Sequence, residues 1–192
     1  MESKKEIMFV LRAQTGDKEA YNQLLKSIQK QLYWHIWNLV SDKNLTEDIL
    51  QEIFVLIYKK LHQLKQPELF RPWVYRITTR ETFRMIKKEK LYDEIITDCE
   101  LLENISVPEE EDTLDEEIRK RIHLLINKLS PASSTVISLH YIGQLTIYEV
   151  AQTLNISANT VKSRLSYGLK SLRENILSDK LISQEEGFFN VH

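Results

Sequence analysis

Residues 146–174, TIYEVAQTLNISANTVKSRLSYGLKSLRE, decide the fold. Thr146 followed three positions later by Glu149 is a capping box: the threonine oxygen accepts from an orphan backbone N–H at a helix start, and the glutamate reaches back to the cap residue. A helix therefore starts near 147 and places Ile147, Val150, Ala151 and Leu154 on one stripe that faces a core. Asn155 tolerates the left-handed conformation that ends a helix. Ser157 can cap the next helix, and Ile156 and Val161 fit a hydrophobic staple across that cap. This second helix, from about 158 to 174, sets Val161, Leu165, Leu169 and Leu172 as a buried seam. Its other faces carry Asn159, Thr160, Lys162, Ser163, Arg164, Tyr167, Lys170 and Arg173. Two short helices, a tight turn and a basic, hydroxyl-rich second helix make a helix-turn-helix, whose ligand would be duplex DNA. A helix in the major groove offers its N-terminal residues to base edges, while later cations neutralise phosphates. Asn159, Lys162, Ser163 and Arg164 are the leading candidate readers, with Thr160 and Tyr167 beside them. The local pattern alone also fits an ordinary amphipathic hairpin with a solvated basic face.

Composition bounds the rest. The chain has 192 residues, is 42% hydrophobic, and contains only four Gly and four Pro, which favours a compact all-α protein of one medium or two small domains. No stretch approaches about 20 apolar residues, and the MESKKEIMF start lacks a secretory apolar core, so a soluble, cytoplasmic protein with no direct membrane insertion is expected. Cys99 is the single cysteine, and no closely spaced His/Cys cluster suggests a metal or other cofactor. Histidines 35, 62, 123, 140 and 192 are scattered and read as surface or partly packed residues.

The net charge of −2 hides a division along the chain. Between Leu91 and Ile118 there are twelve acids and no Lys or Arg; without them 26 basic residues face 28 − 12 = 16 acidic ones. Two basic modules are thus joined by an acidic connector, which reads as a solvated, flexible linker. The organisation expected is a helical domain over 1–90, a linker over 91–113, a helix-turn-helix domain over 114–178 and a tail over 179–192.

The N-terminal module reads as helices throughout. Gly16 and Asp17 separate a short leading helix from a long one in which Leu24, Leu25, Ile28, Leu32, Ile36 and Leu39 recur at core spacing. After the break SDKN, a helix over about 45–65 buries Leu45, Ile49, Ile53, Ile57 and Leu61. On it Asp48, Gln51 and Glu52 share one face with Val55, an acidic strip beside apolar surface that suits a protein partner better than DNA. A further helix begins near FRPW, where Pro72 suits a first helical turn. Arg76, Arg80, Arg84, Lys87 and Lys88 then align along about 18 Å of one side, as a cation track for a nucleic acid backbone. The polar loop before it, HQLKQPEL, with Lys65, is a candidate base-reading loop, and Trp73 or Tyr75 could stack on an unpaired base.

TEDILQEIFVLIYKKL, FRPWVYRITTRETFRMIKK and LSPASSTVISLHYIGQLTIYEVAQTLNISANTVKSRLSYGLKSLRE together resemble the two conserved regions of bacterial extracytoplasmic-function sigma factors. The likeness covers nearly everything except the connector and the tail after about 178. It implies that Asp48, Gln51, Glu52 and Val55 dock on the coiled coil of the beta-prime subunit of core RNA polymerase, with a second contact to the beta flap. It further implies that Lys65, Trp73, Arg76, Arg80, Arg84 and Lys87 melt and read the promoter −10 element. The helix-turn-helix would read the −35 element through Asn159, Thr160, Lys162, Ser163, Arg164 and Tyr167. An anti-sigma factor is a further expectation of the resemblance. The chain departs from the family pattern at Glu81 and Arg84, where a hydrophobic residue and an Asp are usual, and in the ending LISQEEGFFNVH.

Two other classes compete with this reading. A stand-alone dimeric helix-turn-helix repressor would explain the C-terminal module but gives no place to the cation track or the acidic strip. An enzyme is disfavoured, because no Walker loop, zinc-ligand spacing or paired-carboxylate motif occurs. The connector, about 24 residues, reaches roughly 80 Å when extended, whereas two turns of duplex span about 70 Å, so both readers could engage one promoter.

Overall fold

The computed structural model describes residues 2–93 and 114–178. Residues 94–113, with most of the acidic run, and the tail from 179, with Phe188 and Phe189, lie outside the described residues, and so do the expectations that fall on them.

The described residues form eight α-helices and no strand: α1 (Glu2–Gln14), α2 (Lys18–Val40), α3 (Lys43–Lys60), α4 (Phe70–Asp93), α5 (Leu114–Asn127), α6 (Pro131–Ile137), α7 (Ile147–Leu154) and α8 (Ala158–Ser178). Local chemistry sets most of the boundaries. Asp17 caps α2 by accepting from the Ala20 N–H, and that bond, followed by the Arg12 guanidinium, holds its carboxyl below the usual range. Asp42 caps α3 through the Leu45 N–H at 2.7 Å. Between them Ser41 turns the chain in the left-handed conformation, φ 56°. The loop read as HQLKQPEL is two short 3₁₀ turns, Leu61–Gln63 and Pro67–Leu69. Gln14 pins it to α1 by donating to the Leu61 and Leu64 carbonyls at 2.9 and 2.7 Å.

Leu24, Ile28, Leu32 and Ile36 of α2 pack with Ile49, Ile53 and Ile57 of α3 and with Phe70 and Val74 of α4. In the C-terminal helices, Val136, Ile137, Val150, Val161 and Leu165 form the corresponding core. These apolar residues join one continuous cluster, because α2 packs against α5 and α6, and α4 packs against α7. At this seam a π turn, Ser138–Ile142, continues α6, and Gly143 comes directly after it. A Cβ on Gly143 would stand 2.9 Å from Cζ of Tyr75, so only glycine lets the α4 ring lie this close.

Three expectations are corrected by this packing. Tyr75 is only 1% exposed, because its ring is covered by the turn at Gly143, and it cannot stack on a base in this arrangement. His35 and His123 are buried rather than superficial, since both lie where the two sets of helices meet. Leu169 does not continue the buried seam of α8: it is 38% exposed and opens onto a cleft of about 630 Å³ with Leu172, Trp34, Ile122 and Tyr141.

Candidate nucleic-acid interface

The helix-turn-helix is built as its sequence dictates. Thr146 Oγ1 accepts from the Glu149 N–H, while Glu149 Oε2 accepts from the Thr146 N–H at 2.7 Å, completing the capping box. Asn155 ends α7 in the left-handed region at φ 53°, ψ 47°. Ser157 Oγ then accepts from the Thr160 N–H at 3.0 Å and starts α8. With Val161 and Leu165 buried, the first turns of α8 present Asn159, Lys162 and Ser163 to solvent, with Thr160 and Arg164 half-buried at the flanks. Ser163 Oγ donates to the Asn159 carbonyl at 3.0 Å, and Thr160 Oγ1 lies 2.8 Å from Ser157 Oγ, so these two hydroxyls are held by their own helix. Tyr167, 67% exposed, extends the same surface one turn further. A helix N-terminus with exposed amide, hydroxyl and cationic side chains can bond base edges and neutralise phosphate.

The second surface lies on α4. Arg76, Arg80, Arg84, Lys87 and Lys88 are all exposed, whereas Val74, Thr78 and Thr82 on the other side are buried. Trp73 is half-buried, its ring 6.5 Å from that of Phe70, and Lys65 stands exposed in the loop between the two 3₁₀ turns. Sequence reading missed Phe83, an exposed aromatic among these cations. Its position, three after Arg80 and four before Lys87, was the available signal.

The third surface is the acidic strip of α3. Asp48, Gln51, Glu52 and Val55 are all exposed, as their spacing requires. It is not separate from the cation track. Arg84 Nε pairs with Glu81 and its Nη2 lies 3.6 Å from Glu52, so one cation of α4 leans toward the acids instead of standing free. Gln51, Glu52, Val55, Leu56, Glu81 and Arg84 together line a cleft between α3 and α4. Among the described residues no group of acids, histidines or cysteines is arranged to hold a metal ion, and no helix is long and apolar enough to cross a membrane.

Residues 24–92 match the family model for sigma-70 region 2, and residues 119–172 match that for sigma-70 region 4. The chain is 27% identical over 183 residues to the extracytoplasmic-function RNA polymerase sigma factor SigW of Bacillus subtilis, covering 87% of this chain and 94% of that one. It is 29% identical over 160 residues to the RNA polymerase sigma factor NccH of Alcaligenes xylosoxydans, covering 81% and 86%. Among solved structures it resembles the sigma factor RpoE of Bartonella quintana, solved with the anti-sigma factor NepR. The TM-score is 0.70 at 20% identity, over 83% of this chain and 98% of that one. It also resembles CnrH, solved with the cytosolic domain of CnrY, with a TM-score of 0.64 at 20% identity, over 92% and 99%. Both family models come from one class of protein, the sigma factors that serve RNA polymerase. The chain belongs to the sigma-70 family, in its extracytoplasmic-function branch. Members of this family are transcription initiation factors rather than catalysts.

Proposed function

We propose that this protein binds core RNA polymerase in the cytoplasm and directs initiation at promoters whose −10 and −35 elements it reads, with no chemistry of its own. The observation that supports this best is the coexistence of three exposed surfaces: the acidic strip of α3, the cation track of α4 and the N-terminal turns of α8. Asp48, Gln51, Glu52 and Val55 meet the beta-prime coiled coil; acids beside an apolar residue suit a basic, partly apolar helical partner. Lys65, Trp73, Arg76, Arg80, Arg84 and Lys87 hold the opened −10 element, where cations follow the backbone and an aromatic stacks on an extruded base. Phe83 joins them. Asn159, Thr160, Lys162, Ser163, Arg164 and Tyr167 enter the major groove of the −35 element, and the C-terminal helices also meet the beta flap. RpoE, solved with the anti-sigma factor NepR, makes an anti-sigma partner part of this reading. A dimeric repressor is not favoured, since residues 24–92 and 119–172 match two different sigma-70 regions.

Run-off transcription with core polymerase on fragmented genomic DNA, followed by sequencing of the start sites, tests the proposal. Initiation should cluster at promoters sharing two motifs about two helical turns apart. No stimulation of initiation over core polymerase alone would overturn it.

A further inference from the structure

At the centre of the seam between α1–α4 and α5–α8 lies one imidazole. His35 of α2 has no exposed surface. Its Nδ1 is 2.8 Å from Ser138 Oγ, across the seam on the π turn, and its Nε2 is 2.9 Å from Thr79 Oγ1 on α4. A neutral ring satisfies both contacts, one nitrogen donating and the other accepting from a hydroxyl. Both hydroxyls could rotate to accept from an imidazolium, but the charge would remain buried with a hydroxyl, not a carboxylate, on each nitrogen. Among the described residues no carboxylate acts on this ring. From α4, Tyr75 meets the ring edge-on at 5.3 Å, its phenol kept neutral by burial, and Arg71 acts on that phenol as a cation. From α5, His123 stacks at 4.0 Å on Trp34, the residue before His35, and its Nδ1 approaches Asn38 Oδ1 at 3.4 Å. The π turn contributes the Ser138 hydroxyl.

This seam is incompatible with reading two promoter elements at once, an incompatibility that rests on the sigma factor reading. A compact body of this size is roughly 40 Å across, whereas two turns of duplex span about 70 Å. The halves must therefore part. We propose that His35 is a proton-controlled latch on this seam: the neutral ring holds the two halves closed in the free protein, and its protonation releases them.

The sign is set by linkage. Released into water, the imidazole titrates near 6.5; in the closed form burial lowers it to about 3. The closed form thus keeps its full advantage above about pH 6.5 and loses it progressively as pH falls toward the lower value. Because the open form alone binds the proton over this range, the open-to-closed ratio rises about tenfold between pH 7.5 and 5.5. Carboxylates, titrating near 4, stay mostly charged over that interval.

The test is energy transfer in the full-length protein carrying Cys99→Ser, Lys59→Cys and Lys170→Cys, with a dye on each new thiol. It is read at pH 7.5 and 5.5 at fixed ionic strength, across a mild urea series in which both forms are populated. The open-to-closed ratio at constant urea should rise about tenfold in acid. With His123→Gln present throughout, so that the other buried imidazole of the seam contributes no proton, His35→Gln should abolish the rise. A ratio insensitive to pH, or a rise surviving in His35→Gln, overturns the latch, as does loss of transfer only together with helical circular dichroism. Should His35→Gln stand open at every pH, the wild-type His35 ring resonance decides: protonation must track opening, and protonation without opening overturns the proposal. This readout is shape alone, so a chain that opens in acid yet drives no initiation would keep the latch and lose the sigma factor reading.

Discussion

Thr146, Glu149 and Asn155 act within a few positions of themselves, and the local sequence therefore announced what they do. Replacing Thr146 by Ala removes one cap bond of α7 and should cost about 1 kcal/mol of stability, measurable by urea denaturation. His35, Tyr75 and Gly143 were silent for the opposite reason. The partner of His35, Ser138, lies 103 positions away, and no spacing rule couples residues so distant. Leu169 was misplaced because its neighbour Gly168 is the residue that meets Ile137 and Ser133 of α6, which leaves Leu169 facing the cleft although Leu172 beyond it packs against the core. The assigned interfaces should separate by residue. Arg164→Ala should weaken binding to −35 duplex by about tenfold and leave polymerase binding intact, as mobility shifts and a polymerase pull-down would report. Asp48→Ala with Glu52→Ala should do the reverse. Equal loss of both in either variant would mean that the roles are misassigned or the fold is lost.

At the scale of the helix, the periodic stretches α2, α3 and α8 were legible in place and face, since each pairs one apolar side with one polar side. The π turn was not legible: it inserts an extra residue into the turn after α6 and shows no distinctive composition. Nor was the closeness of α6 and α8. A Cβ on Gly168 would fall 2.7 Å from Ile137 Cδ1 and 3.0 Å from Ser133 Cβ, so a hydrogen atom there sets the distance between these helices. Gly168→Ala gains helix propensity but forces Ile137 and Ser133 aside, and a net loss of about 1 kcal/mol is expected in thermal melts. Larger substitutions should splay α6 from α8 and lower binding to −35 duplex more than they lower stability, because α8 is displaced while its cap at Ser157 remains.

For the molecule as a whole, the sequence carried the all-helical class, the basic character of both halves and the acidic stretch between them, all of which derive from composition and period. It did not carry the mutual packing of the halves, because the residues that meet there are apolar or neutral and read as ordinary core. The acidic run invites a test of its own. Deleting residues 98–112 removes Asp98, Glu100, Glu103, Glu109, Glu110, Glu111 and Asp112, and if these acids shield the basic surfaces, nonspecific DNA binding at low salt should strengthen. Unchanged binding in a filter assay would argue against shielding.

The contact between Gly143 and Tyr75 has a consequence for affinity that its tightness alone does not suggest. If polymerase accepts only parted halves, every closed molecule is withdrawn from the binding equilibrium, and the measured dissociation constant exceeds the intrinsic one by the reciprocal of the parted fraction. Good packing then works against the complex. A methyl group at Gly143, wedged against Tyr75, should injure the free protein and yet make it the stronger ligand for polymerase.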